Sequence, residues 1–140
     1  MDTRPNKLEL LRAVEFFLTD TAIPKLQERD QFLARVAVNV IKIVLREIEF
    51  EEKHLAIERD AMGALLGALP PHPLSLSGAR EENMETNRRL CDLIRAGEFD
   101  NEPKRSELIR CLKESTLGNL EINDPKLAER IREEWKGGDG

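Results

Sequence analysis

The sequence predicts an all-α protein, a single bundle of five to six helices around a central buried helix at about residues 30–53. Only 4% of the residues are aromatic and tyrosine is absent, so Leu, Ile, Val and Ala must build the core, which favours packed helices over a sheet sandwich. Apolar residues recur at helical spacing, and no segment shows the two-residue period of a strand. The 140 residues fit one domain. We predict a helical bundle domain at 1–125 and a C-terminal helix with a frayed tail at 126–140.

The first helix is predicted to run from Asn6 to about Thr19, because Asn6 and Glu9 have the spacing of a capping pair. A short second helix follows, with Pro24 in its first turn, where the missing N–H is not needed. The buried stripe of the first helix is predicted to consist of Leu10, Leu11, Val14, Phe17 and Leu18.

The central helix, with Asp30 as its N-cap, has an unusually wide apolar arc. At about 100° per residue its apolar side chains span roughly 220°, about twice the stripe of a surface helix. We therefore expect other helices to enclose it on several sides and to bury Val36, Val40 and Val44. The remaining arc is polar and comprises Gln31, Arg35, Asn39, Lys42, Arg46, Glu49 and Lys53.

A weakly amphipathic helix is predicted from His54 to Leu69, with its boundary to the central helix left open. Its Gly63 and Gly67 form a G-x-x-x-G, which we interpret as close contact with a neighbouring part of the fold; self-association is the alternative. The prolines of residues 70–73 end the helix and predict an irregular connector to about residue 78.

The next helix is predicted over Arg80–Ala96, closed by Gly97 at its C-terminal cap. Another helix starts with Pro103 in its first turn. The last helix has Asp124 as N-cap and Pro125 at its first position, and it ends near residue 135. The apolar face of Arg80–Ala96 is predicted to comprise Met84, Leu90, Cys91, Leu93 and Ile94.

Two polar residues lie where the periodicity places apolar ones. Glu47 projects inside the apolar arc of the central helix, and Asn87 lies in the middle of the next apolar stripe. Because a buried carboxylate or amide needs a partner, we hypothesise that Glu47, Asn87 and Arg95 form one buried polar cluster. The alternative is that each bonds locally and only fixes helix register.

The polar edge of the central helix holds Arg35 and Asn39, with Lys42 and Arg46. This edge is interpreted as a solvated face or, alternatively, as a cationic groove for an anionic ligand or an acidic partner.

No catalytic, metal or cofactor site is predicted. Glu51 and His54 give an E-x-x-H, but a di-iron bundle needs a second copy, and His72 has Leu69 three residues before it. Cys91 and Cys111 lack C-x-x-C spacing, and the chain has no G-x-S-x-G, Walker loop or G-x-G-x-x-G.

Charge and hydropathy limit the partners. The net charge of −5 argues against nucleic acid binding. No run approaches the roughly 18 apolar residues that span a bilayer, and the N-terminus lacks an apolar signal core. Two cysteines without a secretion signal are typical of reduced thiols, so we expect a cytoplasmic protein.

Four segments together resemble a bacterial helical domain of unknown function over about Asn6 to Pro125. Members of that family tend to be encoded beside aminoglycoside-phosphotransferase-like kinases and acyl-CoA dehydrogenases. The resemblance implies no activity, cofactor or catalytic residue. It marks as candidate binding residues Arg35, Asn39, Glu47, Asn87 and Arg95. The similar segments are Arg35-Val36-Ala37-Val38-Asn39 with Arg46-Glu47, Asn87-Arg88-Arg89-Leu90-Cys91 with Ile94-Arg95-Ala96-Gly97, Thr116-Leu117 through Leu120, and Asn123-Asp124-Pro125.

The first hypothesis is a non-catalytic helical accessory protein that binds another protein, for which the resemblance points to a phosphotransferase-like kinase or an acyl-CoA dehydrogenase. The second is a small-ligand-binding or enzymatic bundle that uses the Glu47, Asn87 and Arg95 cluster with Arg35 and Asn39. A third is a homodimer formed through the G-x-x-x-G segment or the C-terminal tryptophan.

Overall fold

A computed structural model of the protein describes residues 4–67 and 69–137. This part of the chain forms helices and no strand, which confirms the predicted all-α class. A π-helical turn (Phe17–Ala22) and a 3₁₀ turn (Ile23–Lys25) lie between the first two α-helices. The α-helices are α1 (Lys7–Phe16), α2 (Glu28–Leu66), α3 (Leu76–Arg95), α4 (Lys104–Asn123) and α5 (Pro125–Gly137).

The chain divides into two compact units, an N-terminal unit (Met1–Phe50) and a C-terminal unit (Glu51–Gly140). The boundary falls within α2, which continues through His54, where the sequence had left the helix boundary open. The division into a domain at 1–125 and a segment at 126–140 stays a prediction, and the predicted frayed end at 138–140 lies outside the described residues.

Hydrogen bonds at helix starts agree with the sequence at two positions. The Asn6 side chain accepts from the backbone N–H of Glu9 at 3.0 Å, while the Glu9 carboxylate accepts from the backbone N–H of Asn6 at 2.9 Å. Asp124 accepts from the N–H of Leu127 at 3.0 Å. Each bond satisfies a donor that the first helical turn leaves unpaired.

In the N-terminal unit, α1 turns a different side inward from the predicted one. Leu8, Leu11 and Leu18 are half-buried, so that only Leu11 and Leu18 of the predicted stripe lie inside. The other predicted members are exposed, and these are Leu10, Val14 and Phe17. Both sides of α1 carry apolar residues, and periodicity alone does not decide which side meets a neighbour.

The first half of α2 is not enclosed as predicted. Val38 and Leu45 are buried and Val44 is half-buried, but Val36 is 47% exposed and Val40 is 53% exposed. The prediction of a helix covered on several sides is therefore wrong for this half. Within the N-terminal unit, α1 and the turns after it cover one side, and an apolar arc of about 220° is wider than one neighbour can cover.

Ion pairs mark the side on which α1 and α2 meet. Arg12 pairs with Glu49 at 3.7 Å, and Lys42 pairs with Glu15 at 3.6 Å. At 100° per residue, these pairs lie on one flank of the two-helix hairpin, and most of the exposed apolar side chains of both helices lie on the opposite flank.

The C-terminal unit has a conventional core. Leu90, Phe99 and Leu108 form a buried cluster, and Leu65, Leu66 and Leu93 pack against it. Elsewhere in this unit Met62, Cys111 and Ala128 are each 1% exposed. Burial of such side chains contributes about 1.5–3 kcal/mol each, so this unit has the larger share of hydrophobic stabilisation.

The inner face of α3 is more polar than predicted. Its buried residues are Asn83, Thr86 and Leu90. Met84, Cys91 and Ile94 are exposed, so the prediction was wrong for those three. α3 also begins at Leu76 instead of Arg80, with Ser75 as N-cap.

At three positions the structure explains why the residue is glycine. Gly67 ends α2 with a φ of 80°, and Gly97 follows α3 with a φ of 81°, a backbone region that favours glycine. At Gly63, a Cβ would lie 3.3 Å from the Leu69 side chain. Gly67 thus serves a helix end, and Gly63 allows a close contact with the segment that follows α2, so the predicted packing of the G-x-x-x-G against a neighbour stays a prediction.

Candidate functional site

Two of the predicted binding residues, Arg35 and Asn39, line an open groove in the N-terminal unit. The groove has a volume of about 350 Å³, and Thr19 and Lys42 also line it. Its apolar lining comes from the buried Ile23 and Val38. The groove therefore combines basic and amide groups with an apolar floor.

The charge of Arg35 is not balanced inside this groove. Its guanidinium donates to the neutral side-chain oxygen of Gln31 at 3.3 Å. Among residues 4–67 and 69–137, no carboxylate lies within ion-pair distance of Arg35, whereas Lys42 is paired with Glu15. Arg35 is thus the residue of this groove that can receive an added anion.

The three residues of the predicted buried cluster, Glu47, Asn87 and Arg95, have different surroundings, each within its own unit. Glu47 is exposed on α2. Arg95 is exposed and pairs with Asp92 one turn earlier at 3.0 Å. Only Asn87 is half-buried, as its place in the stripe predicted. Glu47 belongs to the N-terminal unit, whereas Asn87 and Arg95 belong to the C-terminal unit, so the cluster hypothesis stays a prediction.

A different carboxylate organises the polar interior of the C-terminal unit. Glu58 of α2 accepts from Ser115 Oγ at 2.8 Å and from Asn87 Nδ2 at 3.4 Å through one oxygen. Its other oxygen accepts from Asn83 Nδ2 at 3.0 Å. Asn83 and Asn87 are one helical turn apart on α3, and Ser115 comes from α4. Glu58 therefore ties three helices together through donors on both oxygens.

The signal for Glu58 was present in the sequence. At 100° per residue it projects within about 60° of Leu55, Met62 and Leu65, which were predicted to face inward. The reasoning that singled out Glu47 applies equally to Glu58. Glu58 was missed because it begins a charged run, Glu58-Arg59-Asp60, which has the appearance of a solvated segment.

Beside this network lies a second interior pair. Arg59 Nε donates to Glu82 at 3.0 Å, and the same guanidinium donates to the carbonyl of Pro70. The other oxygen of Glu82 is buried without a hydrogen-bond partner among the described residues. A small cavity of about 70 Å³ adjoins this pair, with Arg59, Asn83 and His72 in its lining. A few water molecules fit there, and a substrate does not.

A third contact joins α2 to α4 and α5 within the C-terminal unit. His54 Nε2 lies 3.3 Å from Glu121, which also accepts from Arg132. At Gly118 a Cβ would lie 2.9 Å from the His54 ring. Gly118 is therefore the residue that lets α4 approach this histidine closely.

The cysteines do not form a reactive site. Cys111 is buried, and this burial raises the pKa of its thiol above the ordinary value. Glu114 and Glu58 raise that pKa further, and Arg110 opposes them. A raised pKa keeps the thiol protonated at neutral pH and lowers its nucleophilicity. Cys91 is exposed, and both thiols are free.

Within residues 4–67 and 69–137, no group of three or more His, Cys, Asp or Glu side chains is arranged to hold a metal ion. None of the helices described there has the length and apolar content needed to cross a membrane.

The most unusual surface is apolar and lies on the N-terminal unit. Six large side chains on one flank of the hairpin are between 47% and 56% exposed. We call this surface the apolar face, and it comprises Leu10, Val14 and Phe17 from the α1 side and Leu33, Val36 and Val40 from α2. Contiguous apolar exposure of this kind marks interaction sites in soluble proteins. The sequence predicted all six of these residues as part of the core.

The fold and these surfaces define a small all-α protein with a hydrogen-bonded polar network around Glu58 in one unit and an uncovered apolar face in the other. Residues 24–127 match a family described as "Domain of unknown function (DUF6285)", and the chain belongs to that family. This match bears out the predicted likeness to a helical domain of unknown function. No curated protein and no solved structure matched the chain.

Proposed function

We propose that the chain is a non-catalytic helical interaction module that binds other protein chains through the apolar face. The exposure of the six side chains of that face is the observation that carries the proposal. The Glu58 network does not offer an alternative binding site, because both oxygens of Glu58 already accept hydrogen bonds from neighbouring side chains.

The resemblance supplies the first candidates for a heterologous partner, a phosphotransferase-like kinase or an acyl-CoA dehydrogenase. The proposal includes a bacterial origin, which also rests on the resemblance. It includes a cytoplasmic location, which is supported by the free thiols of Cys91 and Cys111 and by the highly charged composition.

Binding is tested with the purified full chain immobilised and each candidate enzyme passed over it. Val36→Glu and Val40→Glu introduce a charge into the apolar face and should each weaken binding at least tenfold, since an interface centre tolerates an unpaired carboxylate poorly. Asn39→Glu is the matched control, with the same new side chain on the polar edge of the same helix. Equal loss in all three variants, or no binding of any candidate, would count against the proposal.

A second candidate function is the binding of a small anionic molecule in the groove beside Arg35. The specific observation is that the Arg35 guanidinium bonds only a neutral amide there while Asn39 stands next to it. Titration with a short-chain fatty acid and with inorganic phosphate, followed by calorimetry, tests this candidate. Arg35→Gln should abolish any binding, and Arg89→Gln, at an exposed position of α3, should leave it unchanged.

A further inference from the structure

A regular seam of side chains runs along the outward side of α2 in the N-terminal unit. Its six residues are spaced alternately four and three apart, which at 100° per residue keeps them within about 80° of one another. The two end residues carry opposite charges, and the four between them are aliphatic. The seam consists of Arg29, Leu33, Val36, Val40, Ile43 and Glu47.

Five of the six residues of this seam are exposed, and Ile43 is half-buried. Leu33, Val36 and Val40 are about half exposed, and they belong to the apolar face. Arg29 and Glu47 are exposed, and among residues 4–67 and 69–137 neither side chain forms an ion pair or a hydrogen bond. Alternating spacing of three and four residues is the pattern by which one helix packs along another. The seam therefore indicates that a second helix covers it.

The order of residues in the seam indicates which helix that is. About a centre at position 38, Arg29 mirrors Glu47, Leu33 mirrors Ile43, and Val36 mirrors Val40. Arg29 and Glu47 are 18 residues apart, so they project at the same angle after five turns. A second copy packed antiparallel would place each arginine beside the glutamate of the other copy, twice, with aliphatic side chains between. A parallel copy would place like charges together.

We propose that a second copy of this chain occupies the apolar face, in an antiparallel two-fold dimer that pairs the seams of two α2 helices. This inference rests on the proposed function and names the partner of that face. Such an interface is isologous, because the same surface serves on both copies. Leu10 and Val14 of α1 lie beside the seam, so two hairpins would join as a four-helix arrangement. An unrelated partner needs only a complementary apolar surface and does not require the mirrored order.

The dimer is tested first by the mass of the full chain in sedimentation equilibrium. The expected species is twice the monomer mass of 16.0 kDa. Val36→Glu should give monomers with unchanged helical circular dichroism, because Val36 is exposed within a single chain and is not needed for its folding.

Charge exchange tests the antiparallel register. Arg29→Glu and Glu47→Arg each turn two attractive pairs into repulsive ones and should each raise the dissociation constant about tenfold. The double variant restores both pairs and should return to the wild-type constant. A mixture of the two single variants should form mixed dimers in preference to either variant alone. Lys53→Glu, the same loss of positive charge at an exposed position on the polar edge of α2, is the matched control and should leave the constant unchanged.

Three results would overturn the dimer: monomers at the highest soluble concentration, a dimer that Val36→Glu leaves intact, or a double variant no better than the single ones. These results are separate from failure of the proposed function. If the chain is monomeric and Val36→Glu still weakens capture of a kinase-like or dehydrogenase-like enzyme, the interaction module stands with a heterologous partner on this face.

Discussion

The two units of this chain place polar and apolar side chains in opposite ways. The C-terminal unit buries polar groups, such as Asn83 and Thr86, and supplies Glu58 with donors from two other helices. The N-terminal unit leaves large apolar side chains exposed, such as Val36 and Val40, and none of the residues of α1 is buried. A filled interior with satisfied polar groups is what folding of one chain requires, while an uncovered apolar face is what association requires.

The largest expected difference between the units concerns core truncation. Leu90→Ala removes a side chain that is 2% exposed in the cluster with Phe99 and Leu108, and it should lower the free energy of unfolding by about 2–5 kcal/mol. Val40→Ala in the N-terminal unit should cost less than about 1 kcal/mol when measured on the monomer, because half of that side chain is already in water. Denaturant unfolding measures both, and equal losses would remove the distinction between the units.

A smaller difference is expected for two carboxylates on the same helix. Glu58→Ala leaves the donors of Asn83, Asn87 and Ser115 without their acceptor and should cost about 1–3 kcal/mol of stability. Glu47→Ala, at an exposed position without a partner among the described residues, should change stability of the monomer by no more than about 0.5 kcal/mol. A neutral result for Glu58→Ala would mean that water replaces the carboxylate and that the network does not hold the three helices.

The smallest expected effect concerns the N-caps. Asp124→Ala removes the bond to the N–H of Leu127 and should lower the stability of the C-terminal unit by about 1 kcal/mol, since α5 packs on α4. Lys126→Ala is the control and should stay within about 0.5 kcal/mol. Asn6→Ala should instead act locally and speed amide exchange in α1, which has no buried residue. Exchange measurements on both variants check this contrast.

The parts of the fold that could be predicted are those decided within a few residues. Three such predictions are confirmed: the Asn6 capping pair, the Asp124 N-cap and the end of α3 at Gly97. Each depends on the backbone of a few neighbouring residues. The boundary at Asp30 is wrong, because α2 begins at Glu28. The Ser75 start of α3 was also missed, and a Ser before an apolar residue was the available signal.

The candidate site was predicted less well. Arg35 and Asn39 share a groove on the polar edge, which the sequence had offered as one of two interpretations. Asn87 was correctly placed toward the interior, but its acceptor there is Glu58, which was not among the predicted residues. A helical wheel gives the angle of each residue about the axis of its own helix. It does not identify which other helix packs against that residue.

The sequence by itself determined that the chain is helical, where several helices begin and end, and that α2 carries more apolar surface than one neighbour can cover. These properties follow from backbone propensity, capping chemistry and residue spacing, all of which act over a few residues. Only the tertiary structure decided which side of α2 is covered, that Glu58 lies inside and that Val36 and Val40 lie outside. Those outcomes depend on contacts between residues far apart in the chain, because burial is a property of the assembled helices.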